Sequence, residues 1–391
     1  MIMEVAADGF PALLLTEGGP GNAVLRRLKL APVGKDAPRA AIVLSMVAWL
    51  PLLVLSAAGG LAVGGASIPF LYDISAHVRF LFAVPVLVLA EIPIGRRVRE
   101  AAGNFITGGL VRQDQQARFV EMVTDAMRFR DSRVAELIVL GAAYVTSYAV
   151  LRTESSLGGS TWYASDPHRL MPAGYWYAFV ALPLAQFLLY RWLWRMVVWA
   201  RFLRQISTLD LQLTPTHPDG AGGLGFLGTA CVPFGVLLFA LSAVASSAVA
   251  SHVLFAGARL ETFQASYAAL FVLALAAFAG PALVFAPTLM KVKHRGLIEY
   301  GRLASRYTQL FDRKWVQGID AADEPVLGTG DIQSLADLGN SYQSLKKMRV
   351  VPIALSDLLA MALPGVLPAV PLAATVLPVS DIVKGLFQLL A

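Results

Sequence analysis

The sequence has few charged residues and a single cysteine. Lys, Arg, Asp and Glu make up 15% of its 391 residues, whereas about 25% is usual in a soluble globular chain. A shortage of this size argues against two or three soluble domains, although the length would accommodate them. Cys231 is the only cysteine, which excludes a disulfide framework and a cysteine-rich metal site.

Long apolar runs take the place of the missing charge. Apolar residues make up 57% of the chain, and the mean hydropathy is +0.62. Most runs are long enough to cross a hydrocarbon core of about 30 Å, and helix pairs every backbone polar group within the segment. We predict an all-α polytopic membrane protein with about seven transmembrane helices and cytoplasmic helical extensions. The predicted spans begin near Ala40, Ala76, Val134, Gly174, Gly228, Ala265 and Val351.

The basic residues predict the orientation of these helices. With the N-terminus in the cytoplasm, 27 of the 32 Lys and Arg residues fall on the cytoplasmic side, which is a strong positive-inside bias. The formal net charge of +6 therefore reflects topology, and we expect anionic lipid headgroups rather than nucleic acid at the cytoplasmic face. We predict a protein that is embedded in the lipid bilayer with its N-terminus in the cytoplasm and that is able to form a homo-oligomer.

The same pattern divides the chain into four regions. The one sizeable outer loop is rich in aromatic residues between Trp162 and Tyr177, which we expect to form an interfacial belt. The last cytoplasmic helix should begin with Asp331 as its cap. The final region has five prolines before a short interfacial helix, so it forms either a kinked span or a re-entrant hairpin. The predicted bounds are 1–39 for the cytoplasmic N-terminal region, 40–290 for the membrane domain, 291–350 for the cytoplasmic helical region and 351–391 for the final region, with a cytoplasmic helix at 96–133 and a loop at 205–227.

The loop at 205–227, called the HPD loop below, contains the sequence TPTHPDGAGGLGFL. Asp219 can accept hydrogen bonds from nearby backbone amides, and glycines such as Gly222 and Gly223 can adopt left-handed conformations. These features predict a tight structural turn before a tilted helix. The alternative is an inner vestibule where an ion or substrate enters, lined by the glycine backbone, His217 and Asp219.

Two motif matches in the HPD loop carry little weight. GLGFLG fits the dinucleotide fingerprint, but no strand precedes it and no acid follows about 20 residues later. His-Pro-Asp matches the tripeptide of J-domain co-chaperones, yet the two soluble helices that frame it there are lacking. The five histidines fall on both predicted sides of the membrane without a ligand spacing. We therefore predict no metal and no cofactor.

Polar residues inside the spans are the other candidates for an ion or substrate path. Arg191 and Arg195 lie four residues apart near the inner end of span four, where they either snorkel to lipid phosphates or line an anion path. Glu91, near the inner end of span two, is expected to pair with Arg96 or Arg97.

Small residues in span five have two interpretations as well. Ser242 and Ser246 belong to rows of small side chains that either allow close helix packing or form a hydroxyl-lined pathway. Asp210 precedes the His-Pro-Asp sequence in a short alternating segment. The complete set of candidate path residues is His217, Asp219, Gly222, Gly223, Asp210, Arg191, Arg195, Ser242 and Ser246.

Two segments of the second half carry a family resemblance. LDLQLTPTHPDGAGGLGFL and DIQSLADLGNSYQSLKKMRVVPI, together with the proline-rich final span, are similar to segments of a group of bacterial multi-pass membrane proteins that has no assigned activity. The resemblance covers about the last half of the chain. It implies a bacterial inner-membrane protein and carries no activity with it.

The predicted function is that of a channel or transporter for a small ion or solute. The low charge of the spans, their many prolines and the lack of a catalytic constellation favour transport over chemistry. One alternative is a membrane-embedded enzyme or signalling protein with a cytoplasmic-face site at the HPD loop, together with His294 and Glu299. Another is a non-transporting membrane scaffold. No Ser-His-Asp, Cys-His, paired-carboxylate or P-loop spacing supports an enzyme.

Overall fold

The computed structural model describes residues 12–27, 36–155, 160–166, 169–319 and 329–373. Most of these residues are helical. The α-helices are α1 (Pro20–Arg27), α2 (Ala37–Ala58), α3 (Ile74–His77), α4 (Val84–Leu89), α5 (Glu91–Thr107), α6 (Gln116–Arg130), α7 (Arg133–Ser155), α8 (Pro172–Trp176), α9 (Leu182–Ile206), α10 (Phe226–Cys231), α11 (Gly235–Ala256), α12 (Glu261–Ala279), α13 (Ala286–Phe311), α14 (Asp331–Lys347), α15 (Leu355–Val366) and α16 (Val370–Ala373). Two short strands, β1 (Ala164–Asp166) and β2 (Arg169–Leu170), pair in antiparallel fashion.

Seven helical stretches of the described residues are long and apolar enough to cross a membrane, which confirms the predicted all-α polytopic fold. Consecutive spans run in opposite directions. Residues 12–27, the HPD loop and α14 therefore lie on one side, called the N-terminal face, and residues 59–73, 160–166 and 169–170 lie on the opposite face. Spans 1 to 7 are Ala37–Ala58, Ile74–Thr107, Arg133–Arg152, Pro172–Ile206, Phe226–Ala256, Glu261–Val316 and Leu355–Leu372.

Prolines account for the irregular turns inside the spans. Pro85 and Pro183 each follow a π-helical turn, at the start of α4 and of α9. Pro233 and Pro281 lie inside 3-10 turns of spans 5 and 6. Because proline lacks an amide hydrogen and crowds the preceding turn, it interrupts regular α-helical hydrogen bonding at these points. Pro51, in contrast, lies within the uninterrupted helix α2.

Spans 2, 4 and 5 form the centre of the bundle, and the other spans surround them. Span 3 packs along span 4, and span 7 packs along span 5. Near the N-terminal face, Phe105 of span 2 packs against Phe119 of α6 and Phe285 of span 6. Phe119 also contacts Phe202 of span 4. These buried rings attach α6, which lies outside the spans, to the centre of the bundle.

The prediction of one cytoplasmic helix at 96–133 is wrong, because this range is not a single continuous helix. Span 2 ends at Thr107, and α6 is a separate helix. The chain also breaks between α6 and span 3, at Ser132. The Ser132 hydroxyl oxygen accepts a hydrogen bond of 3.3 Å from the amide of Ala135. A serine in this position satisfies a free amide at the start of a helix, so it begins span 3 as a new helix.

Asp331 does not cap α14 as predicted. It is the first residue of the helix, after Gly330, and its carboxylate accepts hydrogen bonds from Trp315 Nε1 (2.9 Å) and Lys314 Nζ (3.1 Å). The bonds from Trp315 and Lys314 hold the pKa of the Asp331 carboxyl below its usual value. The side chain therefore fixes the start of α14 to the end of span 6, against which α14 packs.

Three of the aromatic residues at the opposite face form a packed cluster instead of an interfacial belt, whereas Tyr175 is exposed. Trp162, Tyr163 and Tyr177 are buried, and Trp162 lies edge-to-face on Phe70. The Trp162 indole N–H donates to the Asp73 carboxylate at 2.9 Å, because a buried indole needs a hydrogen-bond acceptor. The cluster fixes the segment that carries β1 and β2 to the start of span 2.

The final span is a kinked helix as far as the structure describes it. After α15 the chain makes a 3-10 turn at Leu367–Ala369 and continues in α16. Pro368 lies in this turn, where it explains the kink. The described part does not turn back as a re-entrant hairpin would. The predicted interfacial helix falls within residues 374–391, outside the described residues.

Gly365 lets span 7 approach its neighbours closely. A Cβ atom there would lie 2.6 Å from the Phe271 ring and 3.0 Å from Leu238 Cβ. We expect Gly365→Ala to lower the free energy of unfolding by about 1–3 kcal/mol, as overpacking does elsewhere. Gly141→Ala in span 3, where no described atom lies within 4 Å, is the matched control and should be neutral or slightly stabilising. Thermal unfolding in detergent measures both, and equal effects would contradict this packing.

Candidate functional site

The HPD loop folds around the carboxylate of Asp219. Its Oδ1 accepts hydrogen bonds from the amides of Ala221 (2.8 Å) and Gly223 (3.1 Å), and its Oδ2 accepts one from Gly225 (2.7 Å). Gly222 and Gly223 have φ angles of 67° and 101°, which glycine adopts without steric cost. The loop is therefore a tight turn organised by one side chain, with the backbone demands that the sequence predicts.

The HPD loop is also clamped by the end of α14. Arg349 donates from its guanidinium to the Asp219 carbonyl (2.8 Å) and from its amide to the Gly220 carbonyl (2.7 Å). A Cβ on Gly222 would lie 3.2 Å from Met348, so close packing requires glycine there as well. Arg349 is 130 residues from Asp219. The HPD loop and the segment that follows α14 thus form one structural unit.

His217 lies beside the same carboxylate, at the surface. Its Nδ1 is 2.8 Å from Asp219 Oδ1, and its side chain is half-exposed. Burial raises the pKa of the Asp219 carboxyl, but hydrogen bonds from Ala221, Gly225, Gly223 and His217 outweigh this and hold that pKa below its usual value. Both oxygens are already engaged as acceptors. Asp219 therefore shapes the turn and is not placed to act as a general base.

Arg191 and Arg195 are buried in the centre of the bundle, so the prediction that they snorkel to lipid phosphates is wrong. Arg195 Nη1 lies 2.9 Å from Glu91 Oε1 of span 2, and the two side chains are only 4% and 3% exposed. The Arg195 guanidinium also lies 4.7 Å from the centre of the Trp192 ring. An ion pair buried this deeply joins spans 2 and 4.

The expected pairing of Glu91 with Arg96 or Arg97 is also wrong. Those two arginines bond to Glu100 on the exposed side of span 2, because helical spacing places them one turn from it. Glu91 faces the interior instead. Its Oε2, like Nη1 of Arg191, is buried without a hydrogen-bond partner among the described residues.

Residues 12–27, called the N-terminal segment below, cover the buried arginines from the N-terminal face. The Thr16 carbonyl accepts a hydrogen bond from Arg195 Nη2 (2.9 Å), and Asn22 Oδ1 accepts one from Arg191 Nη2 (2.8 Å). Asn22 Nδ2 in turn donates to the Thr16 carbonyl (2.9 Å). Part of the predicted cytoplasmic N-terminal region is therefore built into the bundle.

Glycines in the N-terminal segment turn its amides toward acidic residues. The Gly19 amide donates to Asp131 Oδ1 (2.8 Å), and the Gly21 amide donates to Glu136 Oε1 (2.6 Å). A Cβ on Gly21 would lie 2.3 Å from the same Glu136 oxygen, so only glycine allows this approach. The segment thus directs its carbonyls to arginines and its amides to carboxylates.

The N-terminal segment is packed as well as hydrogen-bonded. Leu13 and Leu15 are each 1% exposed, and both belong to the main hydrophobic core. A Cβ on Gly95 of span 2 would lie 2.3 Å from Thr16 Oγ1. Gly95 therefore provides the space in which Thr16 reaches the arginines.

A cavity of about 210 Å³ lies between spans 2, 4 and 5. Its lining is apolar except for Arg79 of span 2 and Gln186 of span 4. Ala83 and Leu87 of span 2 also line it, and Glu91 follows Leu87 by one helical turn. Arg79 therefore lies in the cavity wall, whereas Glu91 lies one helical turn beyond the last residue of span 2 that lines it.

A smaller polar recess of about 40 Å³ adjoins this cavity on the side of the opposite face. Ser75 and His252 line the recess, and Ala248 lines both spaces. Arg79 connects the two, because it donates to Tyr177 Oη (2.7 Å) and contacts Ser75 Oγ (3.5 Å). A space of this size holds about one water molecule.

The remaining candidate path residues lie elsewhere. Ser242 and Ser246 both bond to the hydroxyl of Tyr267 in span 6, so they join spans 5 and 6. Asp210 is exposed at the start of the HPD loop, 3.6 Å from Arg112. The structure thus places the predicted residues in three separate groups, of which only the arginines lie at the centre of the bundle.

Another cavity, of about 500 Å³, lies between spans 5, 6 and 7. Its lining is apolar apart from Glu261, Gln264 and Tyr267. It has no arginine or lysine among the described residues of its wall. We therefore place the candidate site at the centre of the bundle, not in this cavity.

Sequence reasoning missed Thr16, Asn22 and Arg79. Two signals pointed to them. One is TEGGPGN at 16–22, whose three glycines are unusual in a solvated tail, and the other is a single arginine inside an apolar span.

Within the ranges that the structure describes, no group of three or more His, Cys, Asp or Glu side chains could hold a metal ion. Comparison with models of protein families, with curated proteins and with solved structures gave no match to this chain. Fold and site together define an all-α polytopic membrane protein with an ion pair buried between its central spans.

The carboxylate of Asp219 makes a testable contribution to stability. We expect Asp219→Asn to lower the free energy of unfolding by about 1–3 kcal/mol at neutral pH, because three loop amides lose a charged acceptor. The lowered folded-state pKa means that this contribution is present above the unfolded pKa of about 3.9 and is lost as pH falls through the folded pKa. Thermal unfolding at several pH values should therefore show the two proteins converging in acid. His217→Ala, the control at the exposed partner, should change stability little.

The ion pair between Arg195 and Glu91 is tested by removing one partner and then both. Arg195→Gln leaves a buried carboxylate without its cation, so we expect a loss of about 3–5 kcal/mol. Adding Glu91→Gln should restore part of this loss, because no unpaired charge remains. Arg96→Gln, at an exposed pair, should cost under about 1 kcal/mol. A double variant no more stable than Arg195→Gln alone would argue against a paired interaction.

Proposed function

We propose that this chain transports a small ion or solute across a membrane, along a path between spans 2, 4 and 5. The observation that carries the proposal is the cavity between these spans, which has Arg79 in its wall and a buried ion pair about one helical turn beyond its lining. Arg79 lies toward the opposite face, and the pair of Glu91 and Arg195 lies toward the N-terminal face. Charged side chains inside spans are costly, and where they occur they mark ion or substrate pathways.

In this proposal the protein is closed at the N-terminal face. The N-terminal segment covers Arg191 and Arg195 from that side. At the other end, the recess at Ser75 and His252 adjoins the cavity through Ala248. A substrate would therefore enter from the opposite face and meet Arg79 first.

The N-terminal face is the cytoplasmic face of a bacterial inner membrane in this proposal. The support is the excess of Lys and Arg on that side, 27 of 32, since cytoplasmic loops of such proteins are basic. The exposed members of this set, which do not include the buried Arg191 and Arg195, would contact anionic lipid headgroups. The HPD loop serves as a structural clamp on this face rather than as an active site, because Asp219 is engaged by its own backbone.

A second candidate function, the binding of a partner at the N-terminal face, is favoured by the length of span 6. Its helical stretch covers 56 residues with a 3-10 turn between α12 and α13, far more than the roughly 20 residues that cross a membrane core, so it extends well beyond that core. Ile298, Leu303 and Leu310 are exposed on this extension. Exposed apolar residues outside the membrane mark interaction surfaces, and a second copy of this chain is one such partner.

Flux into liposomes tests the transport proposal. We expect purified protein to accelerate the osmotic swelling of liposomes in at least one member of a panel of small salts and solutes. Ala245→Phe, which fills the central cavity, should reduce the rate to that of empty liposomes. Ala269→Phe, at an exposed position of span 6, is the matched control and should leave the rate unchanged. Equal flux from both variants, or none above empty liposomes across the panel, would refute the proposed path.

A further inference from the structure

The two central arginines are bound by neutral oxygen atoms of the chain itself. Arg195 donates one hydrogen bond to Glu91 and another to the Thr16 carbonyl, and Arg191 donates to the Asn22 amide oxygen. Two guanidinium groups therefore face one hydrogen-bonded carboxylate. The remaining acceptors are uncharged groups of the N-terminal segment.

Arg191 is the less satisfied of the two. Its Nη1 is buried and has no acceptor among the described residues. Glu136, the other acid close enough to act on it electrostatically, accepts its hydrogen bond from the Gly21 amide instead. A buried cation without a hydrogen-bonded anion is costly, so this position favours an anion.

A small oxyanion would supply the charged hydrogen-bond acceptor that Arg191 lacks. A planar group with two oxygens, such as a carboxylate or nitrate, matches the fork of a guanidinium. A carboxylate can accept two parallel hydrogen bonds from one guanidinium and carries the opposite charge, whereas the Thr16 and Asn22 oxygens each accept one bond from the guanidinium that they contact and carry no net charge. The Thr16 carbonyl and the Asn22 amide oxygen occupy positions on Arg195 and Arg191 that such an anion would fill more favourably.

We infer that the N-terminal segment is a displaceable plug that occupies an oxyanion site at Arg191 and Arg195. The inference rests on the proposed function, since it names the substrate class of that path. A small monovalent oxyanion binds the two guanidinium groups, and the Thr16 and Asn22 oxygens leave them. The plug is held elsewhere by hydrogen bonds at Gly19 and Gly21 and by buried leucines, so the anion competes with a defined set of contacts.

Thiol labelling measures this competition in the full-length chain. Ala12 is buried in the N-terminal segment, so Ala12→Cys in a Cys231→Ser background should react slowly with a water-soluble maleimide. Sodium acetate should raise the labelling rate about tenfold, the change expected from replacing neutral acceptors by a charged one. Arg191→Lys keeps the charge and the general effect of salt but loses the fork. In that variant acetate should have little effect.

Two outcomes would overturn the inference. One is rapid labelling without acetate, which would mean that the segment is not docked, and the other is the same acetate dependence in Arg191→Lys. Calorimetric titration of the chain without the cysteine changes, with and without Arg191→Lys, measures acetate binding if the labelled variant fails to fold. Absence of binding there would also contradict the site. Acetate-dependent labelling without any flux would instead refute only the transport proposal, and flux without acetate dependence would refute only the plug.

Discussion

The ion pair between Arg195 and Glu91 is the interaction on which the centre of the molecule depends. Both side chains are almost fully buried, and a buried charge is tolerated only when paired and hydrogen-bonded. The pair therefore sets how span 2 lies against span 4, and it requires further acceptors for the second amino group of Arg195. The N-terminal segment supplies one through Thr16. The N-terminal segment, which lies outside the spans, is thus held to the bundle both by its hydrogen bond to a buried cation and by apolar packing.

The HPD loop uses a second carboxylate in a different way. Asp219 is partly exposed, and its oxygens collect amides of the loop itself. Arg349 then fastens the outside of the turn to the end of α14. Glu91 therefore joins two spans. Asp219 shapes a turn to which Arg349, just after α14, donates hydrogen bonds. Both arrangements join segments that are far apart in sequence. The role of each acid is therefore clear only when its distant partner is known.

The sequence predicts the all-α fold and the number of spans because hydrocarbon thickness and backbone hydrogen bonding leave few alternatives. It also predicts the role of Asp219, since the amides that donate to its carboxylate lie within six residues. The hydrogen-bond partner of Arg195 cannot be predicted in the same way. Periodicity places it near the interface, but whether it reaches lipid or Glu91 depends on the packing of spans 2 and 4. The break at Ser132 was missed because its capping bond is worth only about 1 kcal/mol and breaks no hydrophobic pattern.

The docking of the N-terminal segment has a consequence for biogenesis. Thr16 is synthesised early, but its partner Arg195 lies 179 residues further along the chain. The segment therefore cannot reach its final place until span 4 has been made and has entered the bilayer beside span 2. Until then Leu13 and Leu15 are not buried in the bundle. Arg191 and Arg195 lack the Asn22 and Thr16 oxygens as acceptors. Insertion of the first four spans and maturation of the N-terminal face are thus separate events, in a fixed order.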